Sequence, residues 1–317
     1  MLYFKRFLHI MIFLIGLILI LQILSTIFSP KDNVSGIGME EVKANGILGE
    51  NKNTIDVVVI GDSESISSIS PMEIWNNTGY TTYVSGSSGQ PLNYSLKMLQ
   101  RAFENQKPKI VILETNTIFR NVSLQHIPLA QFTETFSIFD YNDRWKKLRL
   151  TDLFKPKSYS YTDDTKGYVF SSLISPSTTT NHMEPTNDIK KISRVNRYLI
   201  DQIKELSEAN GAKFLLLSTP STVNWNYPRH NAVKKLAEEL DNEYIDLNLM
   251  NDEINIDWSK DTRDRGDHLN HNGAVKVSNY LSEYLAKTKI LSDHRNDKKY
   301  DNWHKSYQRY INQIYGT

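Results

Sequence analysis

The stretch Val57-Val58-Val59-Ile60-Gly61-Asp62-Ser63 indicates the fold more clearly than any other part of the chain. Four β-branched apolar residues in a row are typical of a strand buried on both faces of a parallel sheet. The run ends in a glycine and two polar residues, a pattern that favours a tight turn into a helix. A serine at that turn lies at the carboxyl edge of the sheet, where the first amides of the helix can stabilise a negative charge.

Strand-like and helix-like segments alternate on both sides of this stretch. Short apolar runs separated by amphipathic helices indicate an α/β fold in three layers, with a parallel central sheet covered on both faces. The predicted strands are residues 56–61, 81–85, 109–114, 212–218 and 243–246, and the predicted helices are residues 71–78, 92–105, 189–210, 229–240 and 273–287.

The N-terminus carries an apolar run, Phe7 to Phe28, that is close to the roughly 20 residues a membrane-spanning helix requires. A cleaved signal peptide has a shorter apolar region and a small-x-small cleavage site, which Ser25-Thr26-Ile27 supplies poorly. We therefore predict that residues 1–29 are an uncleaved signal anchor. Lys5 and Arg6 precede the run, so the chain from about Ser29 onward is expected to face away from the cytoplasm.

The remaining chain divides by composition and pattern. Residues 30–54 are polar and contain four glycines, which predicts a tether. Residues 55–290 form the predicted α/β domain, and an aromatic and Ser/Thr-rich insertion at about residues 119–188 is expected to cover its active-site face. Residues 291–317 form a predicted amphipathic helical tail. Its apolar side chains lie on one helical face, which packs on its own domain or else contacts a membrane or glycan.

Composition excludes several classes of function. The 317 residues contain 37 Lys and Arg against 36 Asp and Glu, so no global charge field favours nucleic acid. There is no cysteine, which excludes disulfides, thiolate metal sites and cysteine nucleophiles. His126, His182 and His230 lack carboxylates at metal-ligand spacing, so we predict no metal and no cofactor.

A second polar segment, Asp264-Arg265-Gly266-Asp267-His268-Leu269-Asn270, precedes the last predicted helix of the domain. Taken alone, Asp62 or Ser63 could simply cap a helix and His268 could be structural. Together the two motifs offer a nucleophile, a general base and a carboxylate that orients the base. The carboxylate is Asp264 or Asp267. We favour Asp264, because adjacent side chains on an extended segment diverge.

At these motifs the sequence resembles the SGNH, or GDSL, serine esterase superfamily, which has a flavodoxin-like α/β/α fold. Gly61-Asp62-Ser63 looks like its first block, and His268-Leu269-Asn270 looks like its last. The resemblance implies that Ser63 is the nucleophile and His268 the general base. The superfamily places its aspartate three residues before the histidine, where this chain has Arg265, so Asp264 is one residue further away.

Two intermediate blocks match more loosely and imply an oxyanion hole. The glycine of Ser85-Gly86-Ser87-Ser88-Gly89-Gln90 that best fits the superfamily pattern is Gly89. In Glu114-Thr115-Asn116 the candidate side-chain donor is Asn116, although this block lacks the usual glycine and final aspartate. The implied oxyanion hole is therefore made by the Ser63 and Gly89 amides and the Asn116 side chain.

The anchor together with these blocks is similar to membrane-tethered members that modify the cell envelope, such as teichoic-acid D-alanyl transfer proteins and polysaccharide O-acetyl transferases or esterases. This implies a serine acyl-enzyme that hydrolyses or transfers an acetyl or D-alanyl ester on an envelope polymer, with a membrane O-acyltransferase as a partner. The sequence leaves open whether water or a sugar hydroxyl accepts the acyl group. A non-catalytic binding or assembly protein of the same fold is the alternative.

Overall fold

The computed structural model describes residues 2–123, 136–179 and 181–316. The chain divides into two compact units. The N-terminal unit comprises residues 1–42 and 123–161, and the sheet unit comprises residues 43–122 and 162–317. The two motifs that resemble a serine esterase both belong to the sheet unit.

A five-stranded, entirely parallel sheet forms the centre of the sheet unit and confirms the predicted α/β class. Its order is β2-β1-β3-β4-β5, which is the flavodoxin-like order. In such sheets ligands bind beyond the carboxyl ends of the strands where the winding reverses, here between β1 and β3. The strands are β1 (Val57–Gly61), β2 (Thr82–Gly86), β3 (Ile110–Glu114), β4 (Lys213–Ser218) and β5 (Glu243–Asp246).

Helices follow the strands, and short 3-10 turns connect several of the elements. The helices are α1 (Leu2–Phe28), α2 (Ser63–Ser68), α3 (Pro71–Thr78), α4 (Leu92–Asn105), α5 (Arg194–Ala209), α6 (Tyr227–Leu240), α7 (Asn251–Ile254), α8 (His271–Thr288) and α9 (Asp301–Tyr315). The 3-10 turns are Ser35–Ile37, Ala44–Gly49, Thr115–Phe119, Asn142–Lys147, Leu150–Leu153, Leu247–Leu249 and Lys298–Tyr300.

The alternating side chains of the strands divide the core between the two faces of the sheet. Val57 and Val59 belong to a cluster that also contains buried residues of α2, α3 and α8. Val58 and Ile60 are equally inaccessible but lie outside this cluster, so they face the layer that contains α4 and α5. Burial on both faces explains why the strand is apolar at every position instead of alternating between apolar and polar residues.

Part of the predicted insertion runs along the outer edge of the sheet. The amide of Val84 in β2 donates to the carbonyl of Lys166 at 2.9 Å. At Gly167, with φ +92°, a Cβ atom would come within 1.9 Å of the Val84 carbonyl oxygen, so only glycine fits there. Residues 124–135 and 180 of the predicted insertion lie outside the described residues.

The segment predicted as a tether is packed against other residues instead of extended. In the N-terminal unit, Lys31 and Asn33 are buried, and the Asn33 side chain donates to the Tyr161 carbonyl at 2.7 Å. In the sheet unit, the 3-10 turn Ala44–Gly49 is buried apart from its last residue. Backbone and side-chain hydrogen bonds to residues more than 100 positions away replace the solvent contacts that polar composition suggested.

The amphipathic tail forms α9 and packs on its own domain. Trp303 and Tyr310 are fully buried, and the Trp303 ring lies 5.4 Å from the Trp75 ring between centroids. The Tyr310 hydroxyl lies 2.9 Å from the Ser70 hydroxyl and donates to Glu73 at 2.8 Å. The apolar helical face predicted from the sequence is therefore an internal packing surface.

Candidate active site

The register of the sheet brings the carboxyl ends of its strands to one edge. Gly61 pairs with Gly86, and Glu114 pairs with Leu217, so the turns after β1, β2, β3 and β4 are neighbours. A Cβ atom at Gly61 would lie 2.6 Å from the Glu114 Cβ, so glycine permits the close approach of β1 and β3 at this edge. The side chains that these turns carry therefore lie at the same edge of the sheet.

Ser63 is the first residue of α2 and lies directly beyond β1. Asp62 occupies the cap position, where its Oδ1 accepts the Glu64 amide at 3.0 Å. The helix-capping role considered from the sequence for Asp62 or Ser63 therefore belongs to Asp62, and the Ser63 hydroxyl does not cap the helix. Ser63 is 9% exposed, at a helix start where backbone amides favour developing negative charge.

His268 is oriented by Asp264. The ring Nδ1 lies 2.7 Å from Asp264 Oδ2, and Asp264 Oδ1 accepts the His268 backbone amide at 2.6 Å. Asp267 is further away, with its Oδ1 at 3.7 Å from Nδ1, and it accepts a hydrogen bond from Asn224. The structure thus places Asp264 rather than Asp267 in hydrogen-bond contact with the ring.

A tight turn between the aspartate and the histidine accommodates the extra residue. Arg265 and Gly266 adopt left-handed conformations, with φ of 65° and 92°. Thr262 bridges to Leu269 in antiparallel fashion, and the Arg263 amide donates to the His268 carbonyl at 3.1 Å. The loop closes on itself at its base, with Arg265 and Gly266 at its tip.

Residues of the predicted insertion support the same loop. The Ser175 amide donates to the Thr262 carbonyl at 2.9 Å, and the Arg265 amide donates to the Ser175 carbonyl at 3.0 Å. A Cβ atom at Gly266 would come within 1.9 Å of Thr222 Oγ1, which shows how closely the turn after β4 packs on the other side. The loop that carries His268 is therefore held from two directions.

The distal nitrogen of His268 is available for a proton. Its Nε2 atom is buried and has no hydrogen-bond partner among the described residues. The same residues contain no hydrogen bond between the His268 ring and the Ser63 hydroxyl. Catalytic hydrogen bonds are often long in unliganded enzymes and shorten when substrate binds. The ring is therefore held at Nδ1 by Asp264, while its buried Nε2 lacks a partner among the described residues.

Asn224 links the two halves of the site. Its side-chain amide donates to Glu64 Oε1 at 2.7 Å and also to Asp267. Because Glu64 follows the predicted nucleophile and Asp267 precedes the predicted base, this contact brings their backbones together. The turn after β4, which the sequence did not single out, thus supplies the connection.

The two predicted oxyanion residues also meet at the edge. Gly89 is exposed with φ +66°, and the Thr117 hydroxyl donates to the Gln90 carbonyl at 2.6 Å, which joins the turns after β2 and β3. Asn116 Nδ2 donates to Asp62 Oδ2 at 2.8 Å. At least one of the two amide hydrogens of Asn116 is therefore committed to Asp62.

Two arginines, not predicted from the sequence, surround this network. Arg120 Nε donates to Asp62 Oδ2 at 2.5 Å, and Arg229 Nη1 donates to Asn116 Oδ1 at 2.7 Å. A Cβ atom at Gly89 would lie 3.9 Å from Arg120 Nη1, so this cation sits beside the predicted oxyanion glycine. Arg120 follows β3 closely and could have been suspected from its position, whereas nothing in the sequence indicates Arg229.

Two buried glutamic acids accompany the acidic cap. Burial raises the pKa of Glu114 well above its usual range, and the charges of Asp62 and Glu64 raise that pKa further. Burial likewise raises the pKa of Glu64 well above its usual range, opposed by the Asn224 hydrogen bond and reinforced by Asp62 and Asp267. Both groups therefore hold a proton to higher pH than an exposed glutamic acid.

We expect Glu64→Gln to stabilise the protein at pH 8 but not at pH 4.5. The unfolded glutamic acid loses its proton near pH 4.3, whereas the folded one keeps it until a higher pH, so stability falls as pH rises through that window. Glutamine cannot ionise, and its oxygen still accepts from Asn224. Thermal unfolding should show a gain in Tm of about 3 °C at pH 8.

Glu104→Gln, at an exposed position of α4, is the control and should give the same difference from wild type at both pH values. A Glu64→Gln protein whose Tm tracks wild type at pH 4.5 and pH 8 alike would contradict the raised pKa assigned to Glu64.

Among the described residues, Glu64, Asp267 and His268 place one ligand atom each within 4.8 Å of one another. Three such groups could hold a cation. Here the Asn224 amide already donates to both carboxylates, and burial raises the pKa of Glu64, so the donor set fits a hydrogen-bond network better than a metal. The absence of a metal remains a prediction.

The other histidines considered from the sequence lie elsewhere. His230 Nδ1 is 2.8 Å from Asp246 Oδ2, beyond β5. Burial lowers the pKa of His182, whose ring packs edge-on against Trp258 at 5.7 Å between centroids. His126 lies outside the described residues. Neither described ring belongs to the cluster around His268.

No model of a protein family matches the chain, and no curated protein matches it in sequence. Solved structures similar to it include a lipase/acylhydrolase from Enterococcus faecalis (12% identity, 75% of this chain and 98% of that chain, TM-score 0.40). Another is a GDSL-like lipase from Bacteroides thetaiotaomicron (12% identity, 74% of this chain and 88% of that chain, TM-score 0.38). A third is a psychrotrophic esterase from Pseudoalteromonas sp. (11% identity, 74% of this chain and 97% of that chain, TM-score 0.37).

Proposed function

We propose that this chain is a membrane-anchored serine acyl-enzyme of the SGNH type, which hydrolyses or transfers an O-acyl group on a cell-envelope polymer. The observation that carries the proposal is the state of His268, whose Nδ1 is bound to Asp264 at 2.7 Å while its buried Nε2 lacks a partner. A histidine held in this way is prepared to accept a proton from a nearby hydroxyl.

In the proposed reaction the Ser63 hydroxyl attacks the acyl carbon and gives its proton to His268 Nε2. The charge on the carbonyl oxygen is stabilised by the Ser63 and Gly89 amides and by the Asn116 side chain. His268 then donates the proton to the departing alcohol, which leaves an acyl group on Ser63. Asp264 keeps its charge throughout and stabilises the protonated ring.

The second half of the reaction repeats these steps with a different acceptor. Water or a sugar hydroxyl gives its proton to His268 Nε2 and attacks the acyl carbon. His268 then returns that proton to the Ser63 oxygen as the ester bond to Ser63 breaks. Exclusion of water decides between hydrolysis and transfer. The predicted membrane O-acyltransferase would supply the acyl group in the transfer version.

Location supports the choice of substrate. Helix α1 includes Tyr3–Phe28, which is long and apolar enough to cross a membrane. Lys5 and Arg6 precede most of this stretch, so the positive-inside rule directs the sheet unit to the outer side. A tethered esterase on that side acts on polymers within reach of the membrane. An acetyl or D-alanyl ester of a polysaccharide or teichoic acid is the proposed bond.

The rival function is a non-catalytic assembly protein of an acylation complex. It is favoured by the absence, within the described residues, of a hydrogen bond between Ser63 and His268, and by the partial commitment of Asn116 to Asp62. A protein that only recruits partners needs neither contact. Chemical activity and recruitment can be separated by a substitution that removes one hydroxyl.

A deletion strain complemented with wild type or with Ser63→Ala tests both functions. We expect wall-bound ester acetate or D-alanine to change on deletion, to return with wild type, and to stay altered with Ser63→Ala. Equal complementation by both genes would support the assembly protein instead. No change in either ester on deletion would contradict the envelope substrate.

A further inference from the structure

An exposed apolar face lies next to the end of α1 in the N-terminal unit. The 3-10 turns Asn142–Lys147 and Leu150–Leu153, together with Phe154 directly after them, expose four large apolar side chains within ten residues. Their exposed fractions are 63% for Trp145, 86% for Leu150, 45% for Leu153 and 89% for Phe154. Such a concentration on a protein surface is typical of an interaction site rather than of ordinary solvent exposure.

Arg144 fixes this face to the end of the helix. The buried guanidinium donates to the carbonyls of Ile27 and Phe28 at 2.7 and 3.1 Å, the acceptors that a helix end leaves unpaired. It also pairs with buried Asp152 at 2.9 Å. Because Arg144 and Asp152 both lie among the exposed apolar residues, the whole face is held at the level where α1 ends.

That level coincides with a membrane boundary. The 22 residues from Phe7 to Phe28 rise about 33 Å, close to the roughly 30 Å of a bilayer core. With Lys5 and Arg6 among the inner headgroups, Phe28 reaches the outer interface. Trp145, the neighbour of Arg144, therefore lies at the depth where tryptophan is enriched in membrane proteins.

The polar residues of the same segment are mainly basic. Lys146 and Lys147 follow Trp145, and the Lys146 ammonium lies 5.7 Å from the Trp145 ring centroid. Exposed apolar and basic side chains in alternation are typical of surfaces that lie in the interface of an anionic bilayer. The exposed basic residues are Lys146, Lys147, Arg149, Lys155 and Lys157.

We propose that residues 145–157 dock on the outer leaflet, with Trp145, Leu150, Leu153 and Phe154 below the headgroups and the basic residues against anionic headgroups. The partner is the lipid surface itself. This docking rests on the membrane anchoring in the proposed function but not on its chemistry. It gives the N-terminal unit a second membrane contact, in addition to α1.

Tryptophan fluorescence of the full-length protein in nanodiscs tests the docking. The chain has five tryptophans, none in α1, and Trp75, Trp225 and Trp303 are buried in the sheet unit. With phosphatidylglycerol and lipids brominated near the headgroup, we expect quenching that falls at least twofold in Trp145→Phe. Trp258→Phe is the matched control and should keep the quenching of wild type.

The charge contribution is measured with Lys155→Gln/Lys157→Gln. We expect this variant to be quenched less than wild type in phosphatidylglycerol and equally in phosphatidylcholine. Quenching that is the same in wild type and Trp145→Phe, or that is absent from both, overturns the docking and leaves the face to a protein partner. If Lys155→Gln/Lys157→Gln is quenched as strongly as wild type in phosphatidylglycerol, the contact between the basic residues and anionic headgroups is overturned.

The same measurement on Ser63→Ala separates this inference from the proposed chemistry. Undiminished quenching in that variant is expected, since the docking does not depend on the proposed chemistry of the serine. A full-length protein that does not enter nanodiscs at all would instead contradict the anchoring by α1.

Discussion

Ser63→Ala is expected to lower kcat for hydrolysis of a simple aryl acetate by about 10⁴ to 10⁶, because loss of the nucleophile leaves only transition-state binding. His268→Ala should cost a similar amount, since without the base the hydroxyl keeps its proton. The double variant should be no worse than either single variant, because the two groups act in one step. Steady-state kinetics of the three full-length proteins in detergent measure these effects.

A serine-directed phosphonate checks the same assignment independently of turnover. Mass spectrometry should find the label on Ser63 in wild type, with none in Ser63→Ala and a much slower reaction in His268→Ala. Ser259→Ala, at an exposed position outside the site, should be labelled as wild type is. Label on a different serine, or an undiminished rate in His268→Ala, would remove Ser63 and His268 from the mechanism.

The parallel sheet was predictable because its signal is local. A strand buried on both faces must be apolar at every position, and Val57 to Ile60 satisfy this with residues that also favour extended backbone. The glycine that ends the strand marks a close approach of β3, which a Cβ atom would prevent. Because Ser63 closely follows this glycine, the sequence alone also places it at the edge of the sheet.

The surroundings of the serine could not be predicted, because they depend on contacts between distant parts of the chain. Arg229 contacts Asn116 across 113 positions, and Asn224 contacts Glu64 across 160. Neither contact has a periodicity or a spacing that a sequence displays. The raised pKa of Glu64 is equally hidden, since its largest cause is burial in the folded chain.

The packed segment after α1 shows a different limit. Glycine and polar side chains indicate a tether when solvent is the only partner available. Lys31 instead donates to the Thr26 carbonyl at 2.6 Å, and its own carbonyl accepts from the Ser158 amide at 2.8 Å. Composition describes what a segment can bind but not whether a partner is supplied from elsewhere in the chain.

The choice between two aspartates gives the second large effect. We expect Asp264→Asn to lower kcat by about 10³ to 10⁴, and Asp267→Asn to lower it less than about tenfold. Asp264 contacts the His268 ring at 2.7 Å, whereas Asp267 Oδ1 lies 3.7 Å away and accepts from Asn224. Kinetics with the same aryl acetate, together with thermal unfolding to show that both variants are folded, measure the difference.

The geometry of Asp264 also predicts how the asparagine fails. Its Oδ1 accepts the His268 amide at 2.6 Å, so in Asp264→Asn the single oxygen is required there and the NH2 group turns toward Nδ1. An N–H facing Nδ1 forces the ring proton onto Nε2, which can then no longer accept a proton from Ser63. Asp264→Ala imposes no tautomer, so it should retain at least as much activity as Asp264→Asn. A larger loss in Asp267→Asn than in Asp264→Asn would transfer the orienting role to Asp267.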